Sequence, residues 1–306
     1  MERRRRIGAY GVCRDSDGRA LLARGSAACP FPGVWQLPGG GLEHAEHPAH
    51  AVVREFAEET GLTVEVTGVR AALADVATFR GADHGTDVAV HTDRLVFDVE
   101  ARGGEPRPEP AGGSDELGWF TPDEAAAVPL MPFTAELLGL PVTPLPADLP
   151  RALPPPAPPA PDRGQRFAAY GLVTDPDDRV LLTMIAPGYP GAGRWHLPGG
   201  GTDHGEQPDT GLLRELVEES GQLGRVVELL TVDNLHNPAA LGPEGRPMDW
   251  HAVRVVYRVR VDRPTAAVVT EQAGGSTERA AWFTSAQVRG LRLTEVAALA
   301  TGRGGR

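Results

Sequence analysis

Four glutamates in and before one predicted helix are the residues of this sequence best suited to chemistry. Glu55, Glu58 and Glu59 project from one helical face because they sit at positions i, i+3 and i+4, and Glu46 lies just before the helix. Like charges this close repel one another, an arrangement that makes sense if a divalent cation lies among them. Carboxylate oxygens favour Mg²⁺ or Mn²⁺, and Mg²⁺ usually keeps waters and substrate phosphates as ligands. The pattern therefore predicts a site for Mg²⁺ (or Mn²⁺) and a phosphate substrate.

The residues around these glutamates fit the same chemistry. Arg54 is placed to orient one carboxylate and to offset part of the negative charge. Gly40 and Gly41 belong to a run of three glycines ahead of the helix. Glycine lets a backbone approach a metal or a phosphate closely, so we expect this loop to face the substrate.

The whole constellation occurs twice, 160 residues apart. Trp35 recurs as Trp195, and the segment 37–41 recurs at 197–201. The second set of site residues consists of Gly200, Gly201, Glu206, Arg214, Glu215, Glu218 and Glu219. A period this long is not that of a solenoid and indicates the tandem duplication of a whole domain.

The length of 306 residues fits two domains. We predict the first over residues 1–140, a linker over 141–164 and the second over 165–306. Ten of the 21 residues from 141 to 161 are proline, which favours an extended polyproline II spacer. A ligand for a proline-recognising partner is the alternative interpretation of this segment.

Turn and periodicity signals predict a mixed α/β order within each unit. The predicted elements of the first unit are strands at 7–13 and 20–24, a loop at 25–38, a helix at 48–60, a strand at 94–101, and short helices near 122–127 and 134–138. The second unit repeats this order with strands near 167–173 and 180–184, a helix at 208–220, a strand at 252–261 and C-terminal helices. The expected class is α/β or α+β, a mixed sheet flanked by helices.

The spacing of these residues resembles the signature of the Nudix (MutT-like) hydrolases. The first copy reads Gly40-x5-Glu46-x7-Arg54-Glu55-Phe56-x-Glu58-Glu59-x-Gly61-Leu62. The second reads Gly200-x5-Glu206-x7-Arg214-Glu215-Leu216-x-Glu218-Glu219-x-Gly221-Gln222. It departs from the pattern only at Gln222, where an aliphatic residue is usual. The resemblance covers both units.

The resemblance implies two α/β/α sandwich domains that hydrolyse a diphosphate linked to another group, commonly a nucleoside. It implies metal ligands or a general base at Glu55, Glu58, Glu59, Glu215, Glu218 and Glu219, without saying which glutamate is the base. A loop near the end of such domains often adds an acid. Glu116 and Glu278 are the candidates for this added ligand or base, and ordinary surface charges are the alternative.

Other residues are weaker candidates for the site. His91 and His251 either contact substrate or are structural, and Arg94 and Arg254 either reach a phosphate or form surface ion pairs. We expect Trp35 and Trp195 to pack beneath the glycine loops. In the second unit, Pro238 resembles a marker of ADP-ribose enzymes, and Trp250 either stacks on a ring or is buried at a strand entry.

Composition limits the partners. The net charge of −11 and the pI near 5.3 count against a general nucleic-acid binder, which usually carries a basic field. No apolar run of transmembrane length and no signal-type segment occurs, so we expect no membrane partner. Two cysteines, Cys13 and Cys29, cannot form a disulfide framework and suit a reducing cytoplasm.

Three functional hypotheses follow. In the first, both units hydrolyse a small-molecule nucleotide or another diphosphate, such as a nucleoside triphosphate, ADP-ribose or a nucleotide sugar. In the second, one unit is catalytic, and the other binds ligand or completes an intramolecular pseudo-dimer. In the third, the chain is a non-enzymatic nucleotide sensor.

Overall fold

The chain forms two compact units, Met1–Arg163 and Gly164–Arg306. The computed structural model describes residues 1–79, 87–109, 112–146, 162–241, 246–270 and 275–302. Most of the predicted proline-rich linker, residues 147–161, lies outside the described residues. Among the described residues, no helix is both long and apolar enough to cross a membrane.

Unit 1 is a mixed α/β structure, as the sequence predicts. Its elements are β1 (Glu2–Cys13), β2 (Ala20–Gly25), β3 (Trp35–Gln36), β4 (Gly39–Gly41), α1 (Pro48–Thr60), β5 (Leu62–Phe79), β6 (Val88–Gly104), β7 (Ser114–Phe120), α2 (Pro122–Ala126) and α3 (Pro132–Leu137). One sheet has the order β4-β1-β6-β5, in which β1 and β6 are parallel. A smaller sheet has the order β3-β2-β7.

Unit 2 repeats this order of elements. They are β8 (Arg163–Thr174), β9 (Val180–Ile185), β10 (Trp195–His196), β11 (Gly199–Gly201), α4 (Pro208–Ser220), β12 (Arg225–Leu241), β13 (Pro247–Arg260), β14 (Thr277–Phe283), α5 (Ser285–Val288) and α6 (Glu295–Ala300). Here the strands join into one seven-stranded sheet with the path β10-β9-β8-β13-β12, because β8 also pairs with β9.

Local signals set the bounds of helix α1, which the sequence predicts correctly. Pro48 stands in the first turn, where its missing N–H costs nothing, and the His47 side chain accepts a hydrogen bond from the Ala49 amide. Gly61 ends the helix in the left-handed conformation, with φ 71°. Phe56 is fully buried and packs so tightly on Gly11 of β1 that a Cβ there would lie 2.5 Å from its ring. This contact leaves the glutamate face of α1 directed away from the core.

Long antiparallel strands replace several predicted loops. β5 and β12 are absent from the sequence-based prediction, because bulges such as those between Val66 and Gly68 interrupt their alternation. The segment 233–238 lies in β12, where Pro238 is exposed. Trp250 is half-buried in β13 and pairs with Asn237. Residues 114–116 and 277–278, predicted as loop, belong to β7 and β14.

Candidate active site

Arg54 draws the carboxylates of unit 1 together. Its Nε and Nη2 each donate to Glu46, both at 2.9 Å, which makes a two-pronged contact. Its Nη1 donates to Glu55 at 2.9 Å and to Glu58 at 3.0 Å. Its Nη2 also donates to the Gly41 carbonyl at 3.0 Å, which ties the helix to the glycine loop. The predicted orienting role of Arg54 therefore extends to three of the four glutamates.

Arg214 makes the same set of contacts in unit 2. It donates to Glu206 at 3.0 and 3.1 Å, to Glu215 at 2.9 Å and to Glu218 at 3.2 Å. It also reaches the Gly201 carbonyl at 3.2 Å. The two sites thus have the same construction, although Gln222 replaces the usual aliphatic residue after α4. The Gln222 amide is buried and hydrogen-bonded to Thr265, so the departure changes packing behind the helix.

The glycine loop lies directly against the glutamates. The Gly39 amide donates to Glu59 at 3.0 Å, and the Gly199 amide donates to Glu219 at 2.9 Å. A Cβ on Gly40 would lie 2.5 Å from the Glu55 carboxylate. The absence of a side chain at Gly40 therefore makes room for a helix carboxylate, in addition to the expected room for substrate.

Burial and mutual repulsion shift the titration of two glutamates in unit 1. Burial raises the pKa of Glu55 above its ordinary value, and the charge of Glu58 adds to this effect against the opposing charge of Arg54. Burial raises the pKa of Glu59 to about 8, although the Gly39 hydrogen bond acts in the opposite direction. The nearby carboxylates of Glu55 and Glu109 contribute to the raised pKa of Glu59.

The donor set fits a divalent cation. The described carboxylates supply oxygen ligands, and one arginine cannot neutralise four glutamates. Burial is the main cause of the raised pKa values of Glu55 and Glu59, the neighbouring carboxylates add to it, and a bound cation would favour the charged form of both. Glu58 is half-exposed at 51% and Glu218 at 43%, so both carboxylates remain accessible to an ion from solvent.

A cavity of about 210 Å³ adjoins this site in unit 1. Its lining includes Gly39, Gly40 and Glu59 together with two aromatic side chains, Phe31 and Phe79. The rings of Phe31 and Phe79 contact each other with their centroids 5.8 Å apart. The glycine loop with Glu59 and an apolar aromatic wall therefore share one cavity.

Two copies of one known domain account for this arrangement. The model of the NUDIX domain family matches residues 3–139 and 164–300. The chain belongs to the NUDIX domain family. The matches confirm the resemblance drawn from the two signatures and the prediction of tandem Nudix domains.

Two similar proteins each match less than half of this chain. A MutT-like protein from Streptomyces ambofaciens is 36% identical over 124 residues, 39% of this chain and 66% of that protein. The nucleoside triphosphatase NudI from Enterobacter sp. (strain 638) is 34% identical over 30% of this chain and 59% of that protein. The chain thus spans less than two thirds of the length of either relative. The solved structure of a MutT NUDIX hydrolase from Burkholderia pseudomallei is 33% identical, covering 44% of this chain and 97% of that one, with a TM-score of 0.34.

The proposed loop acids lie on strands. Glu116 is in β7 and forms an ion pair with Arg24 of β2 at 2.5 Å, with half of its side chain exposed. Glu278 is exposed in β14 at a register shift. In unit 1 a different acid, Glu109, lies near helix α1, and its charge contributes to the raised pKa of Glu59. Glu109 also accepts a hydrogen bond from the Gly113 amide. Sequence reasoning does not single out Glu109, because it lies outside the signature and before the glycine pair.

Three of the candidate residues on β6 and β13, His91, Arg94 and His251, are buried. His91 is fully buried with its Nε2 3.0 Å from Asp93, and His251 is fully buried with its Nε2 2.7 Å from Asn234, which fits the structural alternative. Arg94 is also buried rather than on the surface. It pairs with Asp75 at 2.6 Å and donates to the Tyr10 hydroxyl at 2.6 Å.

The other candidate residues, one arginine and two tryptophans, also lie inside their units. Arg254 forms an ion pair with Asp233. Trp35 and Trp195 are buried, as expected, and each packs edge-on against a phenylalanine, Phe120 and Phe283 respectively. Trp35 lies in β3 and Trp195 in β10, so these contacts fix the strand that precedes each glycine loop.

Metal-free protein should lose stability in unit 1 as the pH rises from about 5 to 8. The raised pKa of Glu59 means that the folded state keeps a proton that the unfolded state releases near pH 4.5, so this stabilisation is complete at low pH and lost as the pH passes about 8. Glu59→Gln should flatten the dependence by on the order of 4 kcal/mol over this range. The measurement is native-state hydrogen exchange of the α1 amides in EDTA, corrected for intrinsic exchange. Glu65→Gln, at an exposed position of β5, is the control. An equal dependence of α1 stability on pH in the two variants would contradict the prediction.

Proposed function

We propose that both units hydrolyse the P–O–P bridge of nucleoside diphosphate derivatives in a reaction that depends on Mg²⁺ or Mn²⁺. The observation that carries this proposal is the matched carboxylate cluster around Arg54 and Arg214, which each unit holds against its own glycine loop. A site kept intact in both copies favours two working centres over one.

The residues of each site have separate roles in the proposed reaction. Glu55, Glu58 and Glu59, and Glu215, Glu218 and Glu219 in unit 2, would hold the cation. When bound, the cation would neutralise phosphate oxygens and lower the pKa of a coordinated water. Water attacks one phosphorus, a glutamate of the cluster takes the water proton, and the other phosphate leaves with the bridging oxygen. Arg54 and Arg214 keep the carboxylates in place while the charge changes.

Glu109 is proposed as an additional base or ligand in unit 1, because it accepts a hydrogen bond from the Gly113 amide and a Cβ on Gly113 would lie 3.5 Å from the Glu59 carboxylate. Glu116 on β7 and Glu278 on β14 stay secondary candidates for an added metal ligand or base. The ion pair between Arg24 and Glu116 favours the surface-charge alternative in unit 1.

The cavity of unit 1 supports a nucleoside as the group carried by the diphosphate. Its aromatic pair, Phe31 and Phe79, offers a surface for a base, while Glu59 and the glycine loop face the phosphates. Positions 31 and 79 correspond to Gly191 and Ala239 in unit 2, so unit 2 lacks both rings of this pair. We infer that the two units prefer different substrates among nucleoside triphosphates, ADP-ribose and nucleotide sugars.

A substrate panel tests the proposal. It would contain nucleoside triphosphates including oxidised ones, ADP-ribose, nucleotide sugars and dinucleoside polyphosphates, each with Mg²⁺, with Mn²⁺ and with EDTA. We expect phosphate-containing products from at least one nucleotide with metal and none with EDTA. Equal rates with and without metal, or no cleavage of any member, would contradict it.

A further inference from the structure

One arginine beside the unit 1 cavity leaves its guanidinium donors unused among the described residues. Arg6 lies in β1, in register with Thr92 of β6, and both residues line the cavity together with Glu59. Among the described residues, the Arg6 side chain forms neither a hydrogen bond nor an ion pair, although a guanidinium carries five donors. A cation with free donors in a carboxylate-rich site is suited to bind an anion.

The other arginines near the site are already engaged. Arg54 is saturated by three glutamates and the Gly41 carbonyl. Arg94, the second arginine that lines the cavity, is bound to Asp75 and to Tyr10. Arg5, the neighbour of Arg6 in β1, holds the buried Asp93 with two hydrogen bonds of 2.7 and 2.9 Å. Arg6 is therefore the cavity arginine that is left for a ligand.

The guanidinium of Arg6 lies beside the glycine loop of unit 1. Its Nη2 is 3.4 Å from the position that a Cβ on Gly41 would take, so it lies against the glycine loop. The Glu55 carboxylate lies against the neighbouring Gly40, where a Cβ would be 2.5 Å from it. Arg6 and a proposed metal ligand therefore lie against the same glycine loop.

Unit 2 has the same arrangement at Arg166 of β8. A Cβ on Gly201 would lie 2.8 Å from Nη2 and 2.9 Å from Nε of Arg166. Among the residues that the structure describes, the Arg166 side chain also forms no hydrogen bond or ion pair. The residues just before it differ between the units, since Arg4 and Arg5 correspond to Gly164 and Gln165. The arginine next to the loop is therefore kept while its immediate neighbours have changed.

We propose that Arg6 and Arg166 bind phosphate oxygens of the diphosphate substrate, each in its own unit. This inference rests on the proposed function and adds to it the residue that recognises the phosphates. A guanidinium suits the role because its planar fork makes paired hydrogen bonds to phosphate. It also offsets the repulsion that a polyanion meets on approaching four carboxylates.

The test isolates one unit at a time. Arg6→Met, Arg6→Lys and the control Arg4→Met are made in a Glu218→Gln background, which silences unit 2. Arg4 precedes Arg6 by two residues on the same strand, and its charge is paired with Glu2 at 2.6 Å, so its loss removes one charge outside the cavity. Arg166→Met is compared with Arg163→Met in a Glu58→Gln background. Calorimetry measures binding of inorganic pyrophosphate with Mg²⁺, and kinetics separate KM from kcat on the best substrate.

Loss of the guanidinium should weaken binding more than turnover. We expect Arg6→Met and Arg166→Met to raise the pyrophosphate Kd and KM by about tenfold to a hundredfold, with thermal unfolding unchanged. Arg6→Lys should recover part of the loss because it keeps the charge without the fork. If Arg6→Met matches Arg4→Met while the parent still hydrolyses nucleotide, the inference is wrong and the proposed function stands. If the parent neither hydrolyses nucleotide nor binds pyrophosphate, both are overturned.

Discussion

Gly39→Ala should destabilise unit 1 by about 3–5 kcal/mol and remove its activity. Gly39 has φ 140°, and a Cβ there would lie 2.2 Å from the Ala9 carbonyl oxygen and 2.6 Å from the Tyr10 Cα. Both obstacles are backbone atoms of β1, so no side chain can move aside. Relief requires the loop to leave the sheet, and the hydrogen bond from the Gly39 amide to Glu59 would be lost with it.

Gly33→Ala provides the matched control for this substitution. Gly33 also has a positive φ, 77°, but an added Cβ would meet no atom within 4 Å. Its replacement should cost only the conformational term of about 1–2 kcal/mol. Hydrogen exchange of the α1 amides measures both variants within unit 1. Equal destabilisation by Gly33→Ala and Gly39→Ala would show that the close approach to β1 contributes nothing.

The same argument applies in unit 2, where a Cβ on Gly199 would lie 2.2 Å from the Ala169 carbonyl oxygen. Gly199→Ala should therefore affect α4 and leave the exchange of α1 unchanged. The pair of variants also provides a way to disturb one site while the other is kept.

The parts of the fold that can be predicted well from the sequence are those specified by neighbouring residues. Helix α1 begins and ends where Pro48 and Gly61 predict, because capping and the left-handed C-terminus are local properties. The contacts of Arg54 with Glu55 and Glu58 follow from helical spacing alone. The glutamate cluster can therefore be predicted from the spacing of its residues.

Pairing between distant segments determines the features that local patterns do not predict. The sequence predicts Glu116 in a loop, but β7 pairs with β2 and brings this residue opposite Arg24. The position of Arg6 depends on the pairing of β1 with β4, which aligns Gly8 with Gly41. Nothing in the local pattern of four consecutive arginines distinguishes Arg6, since a basic run is most simply an exposed charged strand end.

The most direct test of the central claim, that each unit holds its own catalytic site, is nucleotide hydrolysis by wild type, Glu58→Gln, Glu218→Gln and the double variant with Mg²⁺ or Mn²⁺. Both glutamates are exposed enough for the amide to be tolerated, and Glu65→Gln serves as a surface control. Each single variant should lose a different part of the activity, and the double variant should fall by about a hundredfold or more. Complete loss in one single variant would make the other unit a partner or binding module, and full activity in the double variant would contradict the assignment of both sites.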